Sequence, residues 1–157
     1  MSNKSNIYLT AFGLESERVG LVRSVIHARG LSPAHSEAAS ISAWVGHLSD
    51  SEIDTLLESL LKLQNVAFDL ELKNESSARR IVFSPNLGLR AAALDEFGCI
   101  NLTEHHIRAL MAEANQNMLK FARLIDQSLL APWDVEFESI RERALAQEEA
   151  VSRSSVA

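Results

Sequence analysis

Val66-Ala67-Phe68-Asp69-Leu70-Glu71-Leu72 is the stretch on which the fold turns. Val66, Phe68, Leu70 and Leu72 alternate with Ala67, Asp69 and Glu71, the period of a strand with one buried and one solvated face. A segment of helical period comes immediately before it. Ser49-Asp50-Ser51-Glu52 is a capping box, in which the serine hydroxyl accepts from the third helical N–H and the glutamate reaches back to the cap. Ile53, Leu56, Leu57, Leu60 and Leu63 then recur at helical spacing, with Glu52, Asp54, Glu58 and Lys62 on the other side. Further back, residues 40–45 lead into Gly46 as a strand, and residues 33–39 read as irregular or as a poor edge strand, the other arm of a hairpin. Residues 15–29 put Val19, Val22 and Ile26 on one helical face and stop at Gly30, and residues 7–12 form a β-branched and aromatic strand ended by Gly13. Strand, helix, two strands, helix, strand predicts an α+β fold: a ferredoxin-like βαββαβ antiparallel sheet with its helices on one face.

Downstream, residues 79–84 extend the sheet with a further strand that Pro85 ends. Pro85-Asn86-Leu87-Gly88 has turn chemistry, and residues 89–94 and 99–102 flank a second turn at 95–98. Thr103 caps a helix with Glu104 in its first turn. Ile107, Met111, Ala114, Met118, Phe121 and Ile125 advance along it by fours and threes. The spacing predicts one long C-terminal helix reaching residue 130, with at most a kink near 115–117, lying on the open sheet face. Ile107, Met111, Met118, Phe121 and Ile125 are also a candidate oligomer face, on which a second copy of the chain would pair. Ala131-Pro132 ends that helix, since the residue before proline is pushed out of the helical region. Residues 134–149 are acidic and helix-prone, and a single domain is expected over residues 1–143, with 144–157 an acidic and then small-residue tail without fixed structure.

The composition narrows the function classes. The chain has 157 residues, 46% hydrophobic and 23% charged, with 21 acidic against 15 basic side chains and a net charge of -6. An acidic balance disfavours nucleic acid, whose affinity comes from basic patches, and no apolar run approaches the roughly 18 residues that a membrane span needs. Cys99 is the single cysteine, so no intramolecular disulfide forms, and residues 1–6 lead into no apolar signal core. A cytoplasmic setting is expected.

Locally written catalytic motifs are missing: there is no Gly-x-Gly-x-x-Gly, P-loop, Gly-x-Ser-x-Gly or His-Glu-x-x-His. His105 and His106 are adjacent on a helix and point about 100° apart, so they cannot chelate one ion as an i, i+4 pair would. No catalytic residue, cofactor or metal is assigned. Two segments remain as a candidate binding surface. Arg80, Pro85, Asn86, Leu87, Gly88 and Arg90 belong to the only basic concentration in an acidic chain, although Arg79 and Arg80 point to opposite faces of a strand. Pro132, Trp133 and Asp134 place a large indole after a helix stop, where it locks the C-terminal segment back onto the body.

Those two segments also carry a resemblance. Arg80-Ile81-Val82-Phe83-Ser84-Pro85-Asn86-Leu87-Gly88-Leu89, the 95–98 step with Ile100, and Pro132-Trp133-Asp134-Val135-Glu136 ending at Arg141 resemble the actinobacterial domain-of-unknown-function family 3145. Matching positions include Pro85, Leu87, Gly88, Gly98, Ile100, Arg108, Pro132, Trp133, Asp134, Glu136, Glu138 and Arg141. Asn86, Cys99 and Phe137 depart from a pattern with serine, aspartate and leucine there. The resemblance implies a fold and a cellular setting and supplies no reaction. The expected function is a non-enzymatic regulator or assembly factor that binds another protein. The alternative is a site for a small anionic ligand near Arg80, Arg90 and Trp133.

Overall fold

The computed structural model describes residues 4–15 and 18–155. Met1, Ser2 and Asn3, and the last two residues of the expected tail, Val156 and Ala157, lie outside the described residues. The chain runs β1 (Lys4–Gly13), α1 (Val19–Ala28), β2 (Ser32–Ala38), β3 (Ile41–Ser49), α2 (Asp50–Lys62), β4 (Val66–Lys73), β5 (Ala78–Ser84), β6 (Gly88–Leu94), α3 (Glu104–Ala114), α4 (Met118–Ser128) and α5 (Ala131–Ser155). The first six elements keep the order βαββαβ, and the strands form one six-stranded sheet in the order β2-β3-β1-β4-β5-β6, every neighbouring pair antiparallel. The fold is α+β with a long C-terminal helix.

Strand alternation sorts the core into two layers. Ile7, Leu9 and Ala11 of β1 and Phe68, Leu70 and Leu72 of β4 face α1 and α2, whose Val22, Ile26, Ile53, Leu56 and Leu60 complete one buried cluster. Burying a Leu or Ile side chain fully is worth about 1.5–3 kcal/mol, so this layer anchors the sheet. The capping box at Ser49 and Glu52 forms as its spacing predicts. Gly46 on β3 has no Cβ because the buried side chain of Leu31 occupies that space.

The other sheet face departs from expectation. Phe12, Ile41, Ala67 and Val82 point there and are buried by Leu130, Trp133, Phe137, Ile140 and Ala144. The helix that covers the open face is therefore α5, and the second face of β4 is solvated only toward Glu71, with Ala67 fully buried. The expected single helix to residue 130 is two helices. Asn115 and Gln116 adopt left-handed conformations with φ of 49° and 67°, and Asn117 opens α4 by accepting from Lys120 N–H at 3.1 Å. A helix cannot run through two left-handed residues, so α4 packs beside α3 instead of continuing it.

Leu130, at φ 62°, supplies the stop, and Pro132 then sits in the first turn of α5, where its missing N–H leaves no intrahelical bond unmade. Residues 144–155, expected as tail, continue α5 to Ser155. Ala144 is buried, and the Glu148 carboxylate accepts from the Ala39 N–H at 2.5 Å, so this stretch has partners on the body.

Candidate functional site

The two segments singled out by sequence meet where the start of α5 lies across β5 and the 85–87 turn. Arg80 projects from β5 toward α5. Its Nε and Nη2 donate to the two carboxylate oxygens of Asp69 on β4 at 2.8 and 2.9 Å, and Nη2 also donates to Asp134 Oδ1 on α5 at 2.6 Å. Burial alone would lower the pKa of this guanidinium, but hydrogen bonds to Asp69 and Asp134 outweigh it and hold Arg80 further above its ordinary range. A two-pronged contact of this kind fixes orientation as well as charge.

Two residues further along α5, Glu136 accepts from the Ser84 hydroxyl and from Asn86 Nδ2, the latter at 2.6 Å, while Asn86 N–H donates to Ser84 Oγ at 3.2 Å. Trp133 is buried, and its Nε1–H donates to the carbonyl of Gly88 at 3.0 Å. Gly88 has φ of 84°, a conformation that suits glycine and lets the chain return from the turn into β6. Further along, Arg141 donates to Glu37 of β2 at 2.9 Å and lies 5.1 Å from the centre of the Phe12 ring. Asp69, Ser84, Glu136 and the Arg141–Glu37 pair make the arrangement a seam that binds α5 to the sheet, each polar partner satisfied within the protein.

Sequence reasoning placed Arg80, Asn86, Gly88, Trp133 and Asp134 in one neighbourhood, and the structure brings them together. It does not bring Arg90 to them: Arg90 is exposed on β6 and makes no hydrogen bond or ion pair among the described residues. Pro85 and Leu87 are exposed at the turn, and Pro132 is half-buried at the start of α5. Arg79 points away, toward Asp50, Ile53 and Asp54 of α2. Asp69 is not among the expected site residues, because its alternation with apolar neighbours, shared with Glu71, reads as a solvated face. The stripe that covers it was present at Leu130, Trp133, Phe137, Ile140 and Ala144, advancing by three, four, three and four, but it lay within a strongly acidic segment.

A second surface is apolar. Met111, Met118 and Leu119 are 57%, 74% and 78% exposed, Ile107 is on the border of exposure, and Phe121 and Ile125 are half-buried. The break at 115–116 divides this stripe between two packed helices, so it is not one straight coiled-coil seam. Among the described residues no three His, Cys, Asp or Glu side chains converge as a metal site requires, and no helix is long and apolar enough to cross a membrane. Cys99 is exposed and its N–H donates to Asp95 Oδ1, which also accepts from Phe97 N–H.

The model of a family described as "Protein of unknown function (DUF3145)" matches residues 28–152. No curated protein and no solved structure matches.

Proposed function

The chain belongs to the DUF3145 family of proteins of unknown function, and since membership names no reaction, we propose from its surfaces that it is a non-enzymatic cytoplasmic protein that acts by binding another protein, as a regulator or assembly factor. The observation that carries this reading is the exposed patch of Met111, Met118 and Leu119 on α3 and α4. Apolar side chains this exposed on two helices packed together favour a partner surface, and methionine adapts its shape to one. The polar seam favours the same reading, because Arg80, Glu136 and Trp133 spend their hydrogen bonds on the protein itself. A cytoplasmic setting is supported by a single, exposed cysteine.

The test is affinity capture of the full tagged chain from its native lysate, beside the variant Met111→Asp/Met118→Asp. The expected result is a stoichiometric protein partner retained by the natural chain and lost from the variant at an unchanged melting temperature. Absence of any stoichiometric partner over a range of salt, or equal retention by the variant, rejects the reading.

A further inference from the structure

The two edges of the sheet are finished differently. At one edge β2 carries Pro33, and α5 reaches it through Arg141–Glu37. At the other edge β6, Gly88-Leu89-Arg90-Ala91-Ala92-Ala93-Leu94, has neither proline nor lysine, the residues with which proteins usually guard an open edge. The hydrogen-bonding direction along β6 is fixed by its ends. Asn101 N–H donates to the Ala93 carbonyl and Asp95 N–H to the Cys99 carbonyl, so Ala93 and Asp95 face outward around the Leu94–Ile100 bridge. By strand parity Leu89 and Ala91 face outward too, while Arg90 and Ala92 turn their N–H and C=O groups to β5. After Asn101 the chain leaves into α3. The outward N–H and C=O groups of Leu89 and Ala91 have no partner among the described residues, and an extended strand is the structure that pairs such groups at their spacing.

Space and charge are consistent with such an occupant. A groove of about 310 Å³ runs beside β6 with α3 opposite, and the alanines at 91, 92 and 93 keep its floor low. Alanine is a poor strand former, so three in succession on an edge strand are not explained by propensity. In a chain of net charge -6, this groove is lined by no carboxylate, and Arg90, without an ion pair among the described residues, is its one full positive charge. With Ala93 taken by Asn101, the free outward positions at 89 and 91 seat roughly three residues of added strand at about 3.3 Å each.

We propose that the outer edge of β6 docks an extended, acidic segment of a partner protein, which joins the sheet as an added strand and sets a carboxylate against Arg90. The inference rests on the protein-binding reading and gives it a mode of recognition. The probe is an acetylated, amidated eight-residue peptide of alternating valine and glutamate, added to the full chain, with the valine–lysine peptide as control. The glutamate peptide should bind against the overall charge, shift the amide resonances of Leu89 and Ala91 and slow their exchange. Ala91→Pro removes an outward N–H without removing a β5–β6 bond, so the fold should survive while affinity falls about tenfold. Ala91→Glu, which keeps the N–H, puts a charge on the edge and repels an acidic strand, covers the case in which the proline variant does not fold. Arg90→Glu should reverse the preference between the two peptides.

Equal binding of both peptides, no response at Leu89 and Ala91, or undiminished binding by Ala91→Glu overturns the proposal. Self-association of the chain that Ala91→Glu abolishes also overturns it, in favour of a second copy. A captured partner lost from the Met111/Met118 variant and kept by Ala91→Glu leaves the protein-binding reading standing and removes this one. Peptide binding at β6 with no captured partner separates the failures the other way.

Discussion

Asp69 sits on a strand face that reads as wet and is covered. Its side chain is 18% exposed and both oxygens are held by Arg80, itself 15% exposed, whereas Asp134, the guanidinium's other partner, is 52% exposed and can return to water. Removing Arg80 therefore harms mainly Asp69, which is left with a charge and no partner. Arg80→Met should cost about 2–3 kcal/mol in urea unfolding, and Arg80→Met combined with Asp69→Asn should cost less than the sum of the single changes, since the orphaned charge has gone. Strict additivity would mean that the pair is not coupled. Glu52 gives a prediction in pH. Its hydrogen bond from the Ser49 backbone, and then that with the Ser49 side chain, lower its pKa from the ordinary 4.5. A carboxylate with a depressed folded pKa adds stability that is present above its unfolded value and lost as pH falls through the folded one. The melting-temperature advantage of the natural chain over Glu52→Gln should thus be present at pH 7 and shrink as pH is taken below 4.5; an advantage that stays constant with pH would remove the capping carboxylate as its source.

At the scale of elements, α5 decides whether one face of the sheet is a core or a liability. Phe137 is 1% exposed and stacks on Phe12, with ring centroids 4.8 Å apart and planes within 4°. Phe137→Ala should lower stability by about 3–5 kcal/mol, the cost of a large buried cavity, and raise binding of an apolar dye; a change below about 1 kcal/mol would show that the face closes without this ring. The elements legible in sequence are those in which local signals agree. In α2 the capping box and the apolar stripe coincide, and in β4 the alternation is unbroken, so residues 49–72 could be read nearly to their ends. The helices after 103 were misjudged because the heptad spacing from Ile107 to Ile125 is uninterrupted in sequence, while the break lies in the left-handed backbone of Asn115 and Gln116. Asparagine tolerates that conformation, so 115–117 reads as the place for a kink, but nothing there separates a kink from a complete break. Pro132 was ambiguous in the same way, since proline stops one helix and starts another, and α5 starts there. The meeting of Arg80 with Asp134 and of Trp133 with Gly88 depends on contacts 54 and 45 residues apart, which no local period encodes.

Across the whole molecule, α5 ties the ends of the sheet to one another. It touches Gly88 at the start of β6 through Trp133, β5 through Asp134, the centre at Phe12 through Phe137, and β2 through Arg141. The layer under α1 and α2 and the layer under α5 share every central strand, so neither can come apart without removing support from the other. Such a molecule should unfold as one unit. The chain places its two tryptophans to test this, with Trp44 buried in the first layer and Trp133 in the second. In Trp44→Phe the remaining indole reports the α5 layer, and in Trp133→Phe it reports the α1–α2 layer, while far-ultraviolet circular dichroism reports the whole. Each variant will have its own urea midpoint, since each loses a side-chain N–H, from Ser42 in one case and from Gly88 in the other. Within each variant, however, fluorescence and dichroism should give the same midpoint and slope. If the Trp133 signal is lost at lower urea than the dichroism, α5 leaves the sheet first and the polar seam is a separable latch, a local opening of lower free energy than the global one.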